Sequence, residues 1–306
     1  MRWYRAQGDN STYYIFTNNE SLDGTTVTGR YGGGRNGWSD VSITYKRLYT
    51  MTTTGTTAVK MTDLQSAVND FIDTVSANNT SLANSGYGTD SMSRISLVKY
   101  AMFYAGDTSF DGTPSYTIGN SMVNYNGTSY NATQIVSDLT TYTTAGGNGT
   151  SAGSTLKTTV SNLTAAGATA ADYGMTLADA VLDGTGTLTG ARSDAQKVII
   201  FFTDGEPNHM NSFWGDVATD SVNTAHTLKD DGVIVYTIAV ADGADASNTT
   251  TNMNIYMHGM SSNYPNASAT SGGSTSGSGT ATPTAAVWTP TLGTRAADSN
   301  YYIVAG

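Results

Sequence analysis

The stretch VIIFFTDGEPNH, Val198–His209, is an apolar run that stops on a carboxylate, Asp204, and then breaks into Gly, Pro and Asn. A continuous apolar run of this length, rich in β-branched and aromatic residues, predicts a parallel strand buried on both faces, because a half-wet strand would alternate apolar and polar side chains. In open α/β sheets the ligand crevice lies at the carboxyl ends of the strands, which is where Asp204 stands. Asp-Gly after a strand is also ordinary turn chemistry, so the rest of the chain has to carry the argument.

Downstream, WGDVATDSVNTAHTLKDDG keeps Trp214, Val217, Ala218, Val222, Ala225 and Leu228 in helical period, with Gly232 as the stop. VIVYTIAV then predicts a second buried strand, IYMHGMSSNYP a short amphipathic piece, and NYYIVAG a third apolar strand. Upstream, KMTDLQSAVNDFIDTVSA places Leu64, Ala67, Val68, Phe71, Ile72 and Val75 on one helix face, and Thr62 with Gln65 reads as a capping box. RISLVKYA, Arg94–Ala101, follows as a strand, and NATQIVSDL as a possible short helix. STLKTTVSNL predicts a helix with Leu156, Val160 and Leu163 on one side. The segment AAGATAADYGMTLADAVL predicts a tight turn and a helix with Met175, Ala178, Val181 and Leu182 facing inward.

Helices alternating with apolar strands predict an α/β fold with a doubly wound, mostly parallel, Rossmann-like sheet. We expect one domain over residues 1–306, carrying large irregular insertions at about 1–58, 104–150 and 267–292. The last of these contains the Ser/Gly/Thr tract SATSGGSTSGSGTATPTAA, which reads as flexible.

Charged residues make up only 12% of the 306 residues, against a usual share of roughly 25%. Neutral polar side chains therefore build much of the surface, which suits an extracellular setting. With Lys+Arg 14 against Asp+Glu 24 the net charge is −10, which disfavours nucleic acid and anionic membranes as partners. Cysteine is absent, which excludes disulfides, thiolate metal sites and a Cys nucleophile. No stretch reaches the roughly 20 apolar residues of a membrane span.

The segments GATAADYGM, VIIFFTDGEPN and SSNYPNA, in this order of helices and strands, resemble the von Willebrand factor type A domain, particularly the versions in surface and pilus-tip proteins of Gram-positive bacteria. The resemblance covers Lys60–Tyr100, Leu156–Pro265 and the last strand. It implies a metal-ion-dependent adhesion site that uses a DxSxS motif after the first strand, a loop Thr and an Asp after the fourth strand. By position, the Thr is Thr169 and the Asp is Asp204. Asp172, Glu206 and Asn208 fall at the second shell or rim of that site. The implied cofactor is Mg²⁺, or Mn²⁺ or Ca²⁺, since such ions take hard oxygen ligands. The implied partner is a host or matrix protein offering a carboxylate, and the implied location is the cell surface, in the cell wall or a pilus.

The sequence departs from that pattern in one respect. No apolar strand followed by DxSxS precedes the helix placed at Thr62, so the resemblance implies that Met1 directly follows the motif and that the central first strand is missing. The helix expected after the final strand is missing as well, since the chain stops at Gly306. On this expectation Arg94–Ala101 and Val198–Thr203 flank a gap, Thr12–Thr17 is the nearby candidate to fill it, and cation binding by this chain is weak or absent. Asp40-Val41-Ser42-Ile43-Thr44 has DxSxT spacing, but no buried strand precedes it.

Other signals carry less. Gly32, Gly34 and Gly37 satisfy GxGxxG without a strand before or a helix after. His209, His226 and His258 show no metal spacing, and no GxSxG elbow occurs. Asp172 also suits a helix N-cap. The expectation is therefore a binding domain and not an enzyme. Its alternatives are an α/β hydrolase or phosphatase using Asp204 with His209, and a structural module with a degenerate metal site.

Overall fold

The structure, a computed structural model, describes residues 3–5, 12–17, 26–32, 38–47, 56–101, 114–125, 128–144, 152–207, 213–272 and 287–305. They fall into two compact units, Met1–Gly55 and Thr56–Gly306.

The first unit, where the sequence suggests an irregular insertion, holds a four-stranded sheet. Its strands are β1 (Trp3–Arg5), β2 (Thr12–Thr17), β3 (Thr26–Gly32) and β4 (Trp38–Arg47), in the order β1-β2-β4-β3. Asp40 to Thr44 lie inside β4, which is paired with β2 on one edge and β3 on the other. The DxSxT spacing is thus mid-strand and not the loop that a cation site needs. Thr12–Thr17 pairs with β1 and β4, so it is not a substitute in the parallel sheet of the second unit.

The second unit has α/β architecture and opens with α1 (Thr56–Asn84). Next come β5 (Arg94–Lys99), the hairpin of β6 (Met122–Tyr125) and β7 (Thr128–Asn131), and β8 (Gln134–Thr141). Then follow α2 (Ala152–Ser161), α3 (Ala171–Asp183), β9 (Val198–Thr203), α4 (Gly215–Asp230) and β10 (Ile234–Ala239). The chain continues through α5 (Asn252–Met260), β11 (Ser268–Gly272), β12 (Val287–Thr291) and β13 (Tyr302–Val304).

The predicted apolar strands form a parallel sheet in the order β13-β10-β9. Among the described residues its ladder stops at β9, and β5 pairs with β8, antiparallel. No ladder joins β5 to β9 among the described residues. One face of the parallel sheet, with Ile199, Phe201, Val235, Ala239 and Tyr302, is buried in the same core as α4 and α5. The other face corrects the expectation of burial on both sides: Val198 is 45% and Ile200 48% exposed.

The helix α3 spans the break. Its Met175 and Leu182 join the core of the parallel sheet, while Leu177, Ala180 and Val181 pack with Ile135 of β8 and Leu188. The helix α4 buries the whole periodic set from Trp214 to Leu228, and Gly232 ends the turn at φ 81°, a conformation that costs a glycine little.

Three local expectations are corrected. The helix read from Thr62 begins at Thr56, so Thr62 and Gln65 are not a capping box. Gln65 instead directs Nε2 at the carbonyls of Val160 (3.1 Å), Ser161 (3.1 Å) and Leu163 (2.7 Å), which ties α1 to the C-terminal end of α2 and the turn after it. The segment NATQIVSDL contains a strand, β8, whose irregular register against β5 is bridged where Leu97 N donates to Ser137 Oγ and Ser96 Oγ to Ser137 O. Part of the Ser/Gly/Thr tract forms β11, paired with β12 and held on α4 because Asn223 both donates to Ala269 O and accepts from Ala269 N, at 3.0 Å each.

Candidate functional site

Asp204 is the first residue beyond β9, and it is exposed. The turn that presents it is tied locally: Thr203 Oγ1 donates to Gly205 O (2.8 Å) and accepts from Gly205 N (3.3 Å). Trp214 N closes the wider loop on Pro207 O at 2.8 Å. Among the described residues no ion pair engages Asp204. Glu206 is half-buried on the same turn, and Asn208 and His209 lie outside the described residues.

Thr169 is half-buried in the loop that leads from α2 into α3. That loop is held from β7: Asn131 donates Nδ2 to Thr164 O and its backbone N–H to Ala166 O at 3.4 Å. Two positions beyond Thr169, α3 begins, and its Gly174 lies against the ring of Tyr100. The phenol of Tyr100 donates to Phe202 O, two positions before Asp204. Tyr100 is therefore the side chain that the Thr169 and Asp204 segments share. Burial holds its phenol well above the ordinary range, a hydrogen bond with Thr203 acts downward, and the charge of Asp204 adds to the rise.

Asp172 is not the N-cap of α3, since the cap position is Ala170 and no side chain caps it. Its Oδ1 is buried without a hydrogen-bond partner among the described residues. Burial raises its pKa to about 6, with the Tyr173 N–H acting downward and the Asp220 charge upward. Asp172 and Asp220, with Thr176 and Asn223, line a cavity of about 380 Å³ between α3 and α4.

The donors at hand suit a hard divalent ion in kind: Asp204 offers a carboxylate and Thr169 a hydroxyl. In number they fall short of an octahedron, so water would supply the other positions. Among the described residues no group of three or more His, Asp or Glu is placed to hold a metal. His226 is on the surface of α4, bonded to Pro265 O and paired with Asp230. His258 is fully buried in α5, between the rings of Tyr264 and Tyr302.

Residues 55–269, well over half of the chain, match the family described as von Willebrand factor type A domain. The match begins one residue before the second compact unit. No curated protein matches the chain. Among solved structures, it is similar to proximal thread matrix protein 1 from the mussel byssus, at 15% identity and a TM-score of 0.34, over 67% of this chain. The chain spans 36% of the length of that structure.

Proposed function

The chain belongs to the von Willebrand factor type A domain family, and from that premise we propose that it is a cation-dependent protein-binding domain of a bacterial surface or pilus protein. Domains of this family are generally protein-interaction or adhesion modules, are typically not enzymes, often bind a divalent metal, and are common in extracellular proteins. No helix among the described residues is long and apolar enough to cross a membrane.

The observation that carries the proposal is the exposed Asp204 at the carboxyl end of β9, linked through Tyr100 to the loop that carries Thr169. In our reading these two residues hold Mg²⁺, Mn²⁺ or Ca²⁺, and the ion supplies Lewis-acid attraction for a partner carboxylate. A single protein carboxylate leaves the ion net positive, so an anionic group can be recruited to a chain whose own net charge is −10. In the same reading we assign Glu206 and Asn208 to the rim of the site and Asp172 to a supporting position behind its ligands. The Gram-positive origin rests on the motifs GATAADYGM, VIIFFTDGEPN and SSNYPNA and on the hydroxyl-rich, cysteine-free composition.

Calorimetric titration with Mg²⁺ tests the proposal. With only two protein ligands, affinity is expected at or below the weak end of extracellular sites, roughly 10⁻⁴–10⁻³ M, and Asp204→Ala should lower it further. Turnover of an ester or phosphoester that disappears in His209→Ala would replace the binding reading with a hydrolase.

A further inference from the structure

The strand β5 gives no ligand to the proposed site, yet the residues at its end reach both halves of it. Lys99 Nζ donates to Asn120 Oδ1 (2.6 Å), Ser121 O (2.7 Å) and, more weakly, Asn131 Oδ1 (3.5 Å). Lys99 is buried and forms no ion pair among the described residues. Burial accordingly lowers its pKa. An ammonium without a counter-ion tolerates such a place only when its protons are met, and here three neutral oxygens meet three protons. The arrangement resists displacement, because losing a partner would leave a proton of the buried ammonium unmet. Asn131, held by this ammonium, is the residue that grips Thr164 O and Ala166 O just ahead of Thr169.

Tyr100, the next residue, serves the other half. Its ring stacks on Phe201 with centroids 5.3 Å apart and planes 12° apart, and its phenol donates to Phe202 O. Since β5 and β9 share no ladder, this phenol is a direct tie across the break.

We propose that Lys99 and Tyr100 are positioning residues for the cation site, Lys99 fixing the loop that carries Thr169 and Tyr100 fixing the end of β9 that carries Asp204. β5 thereby sets the separation of two ligands that have no backbone ladder in common. The assignment rests on the cation reading of the preceding subsection.

Its test uses the whole chain, Mn²⁺ as the probe, and amide resonances as the readout, with Tyr100→Phe, Lys99→Met and Lys99→Arg as variants. Tyr100→Phe removes one oxygen and keeps the ring, so it should fold. It should shift the amides of Asp204 and Gly205, leave those of α5 unchanged, and weaken Mn²⁺ about tenfold, the weight of one hydrogen bond at such a site. Lys99→Met should loosen the amides from 164 to 169 by a similar factor, and Lys99→Arg should recover part of that loss. Wild-type broadening at Thr169 and Asp204 that persists at equal Mn²⁺ concentration in Tyr100→Phe and Lys99→Met overturns the positioning role alone. Absence of broadening in the wild type defeats the cation reading, and the positioning role falls with it.

Discussion

Gly174 on α3 meets the Tyr100 side chain so closely that a Cβ built on it would lie 2.9 Å from Tyr100 Cβ, Cγ and Cδ1. Helix propensity alone favours Gly174→Ala by about 1 kcal/mol. Overpacking against a ring already stacked on Phe201 opposes this by about 1–3 kcal/mol. We predict a net loss of stability in urea unfolding, and a smaller loss for the same change in a Tyr100→Ala background, where the ring atoms are gone and only the Cβ contact remains. A destabilisation of equal size in both backgrounds would show that the ring is not the cause.

The ammonium of Lys229 on α4 donates to Gly259 O (2.7 Å), Tyr264 O (2.9 Å) and, at 3.3 Å, Ser261 O. It thus binds carbonyls at and beyond the end of α5, and burial lowers its pKa to about 8. Lys229→Met keeps the apolar stem and removes the donors. Ser261 O and Tyr264 O keep the backbone N–H groups of Tyr264 and Ala267, whereas Gly259 O loses its donor, so the change should cost about 1–3 kcal/mol, read from denaturant midpoints. A loss below about 0.5 kcal/mol would mean that water replaces the ammonium.

Asn79 of α1 is buried and bonds three backbone groups: it donates to Ser93 O (2.9 Å) and Tyr142 O (2.8 Å) and accepts from Ser93 N (2.9 Å). Asn79→Leu should therefore destabilise the protein by about 2–4 kcal/mol despite the added apolar volume. Hydrogen exchange should locate the damage at the amide of Ser93 and the start of β5.

Two buried groups should give stability opposite pH slopes. Burial, followed by the positive charge of Arg295, lowers the pKa of His258 from 6.5 to about 4. Its stabilising contribution is full above pH 6.5 and is lost as pH falls toward 4, on the order of 3 kcal/mol. Burial raises the pKa of Asp172 from 3.8 to about 6, so its contribution is full below 3.8 and is lost as pH rises through 6. Unfolding free energies between pH 4 and 6.5 should therefore fall less steeply with acid in His258→Phe and more steeply in Asp172→Asn than in the wild type. Parallel curves for the three proteins would contradict both assignments.

The parts legible in the sequence are those whose signal is local. The run from Val198 to Thr203 and the 3.6-residue period from Trp214 to Leu228 each identify an element without knowledge of its neighbours. The β8 strand escaped because a partner forty residues away defines it, and its mixture of Ile, Val, Ser and Asp has no clear alternation. Gln65 escaped for the same reason, since its acceptors lie on α2, more than ninety residues downstream. β11 is built from Ser, Ala, Thr and Gly, and α4 and β12, rather than propensity, hold it extended. For the candidate site, motif position singles out Thr169 and Asp204, but nothing local marks Lys99 or Tyr100, whose contacts exist only once β5, β7, α3 and β9 are assembled.

The most direct measurement of the central claim follows amide line broadening as Mn²⁺ is added to the wild-type chain and to Asp204→Ala. We predict broadening centred on Thr169, Asp204 and Gly205 at Mn²⁺ concentrations of roughly 10⁻⁴–10⁻³ M or above. It should disappear in Asp204→Ala while the remaining resonances keep their positions. Broadening centred on other acidic residues, or a pattern unchanged by Asp204→Ala, would contradict the claim and leave Asp204 as a turn residue.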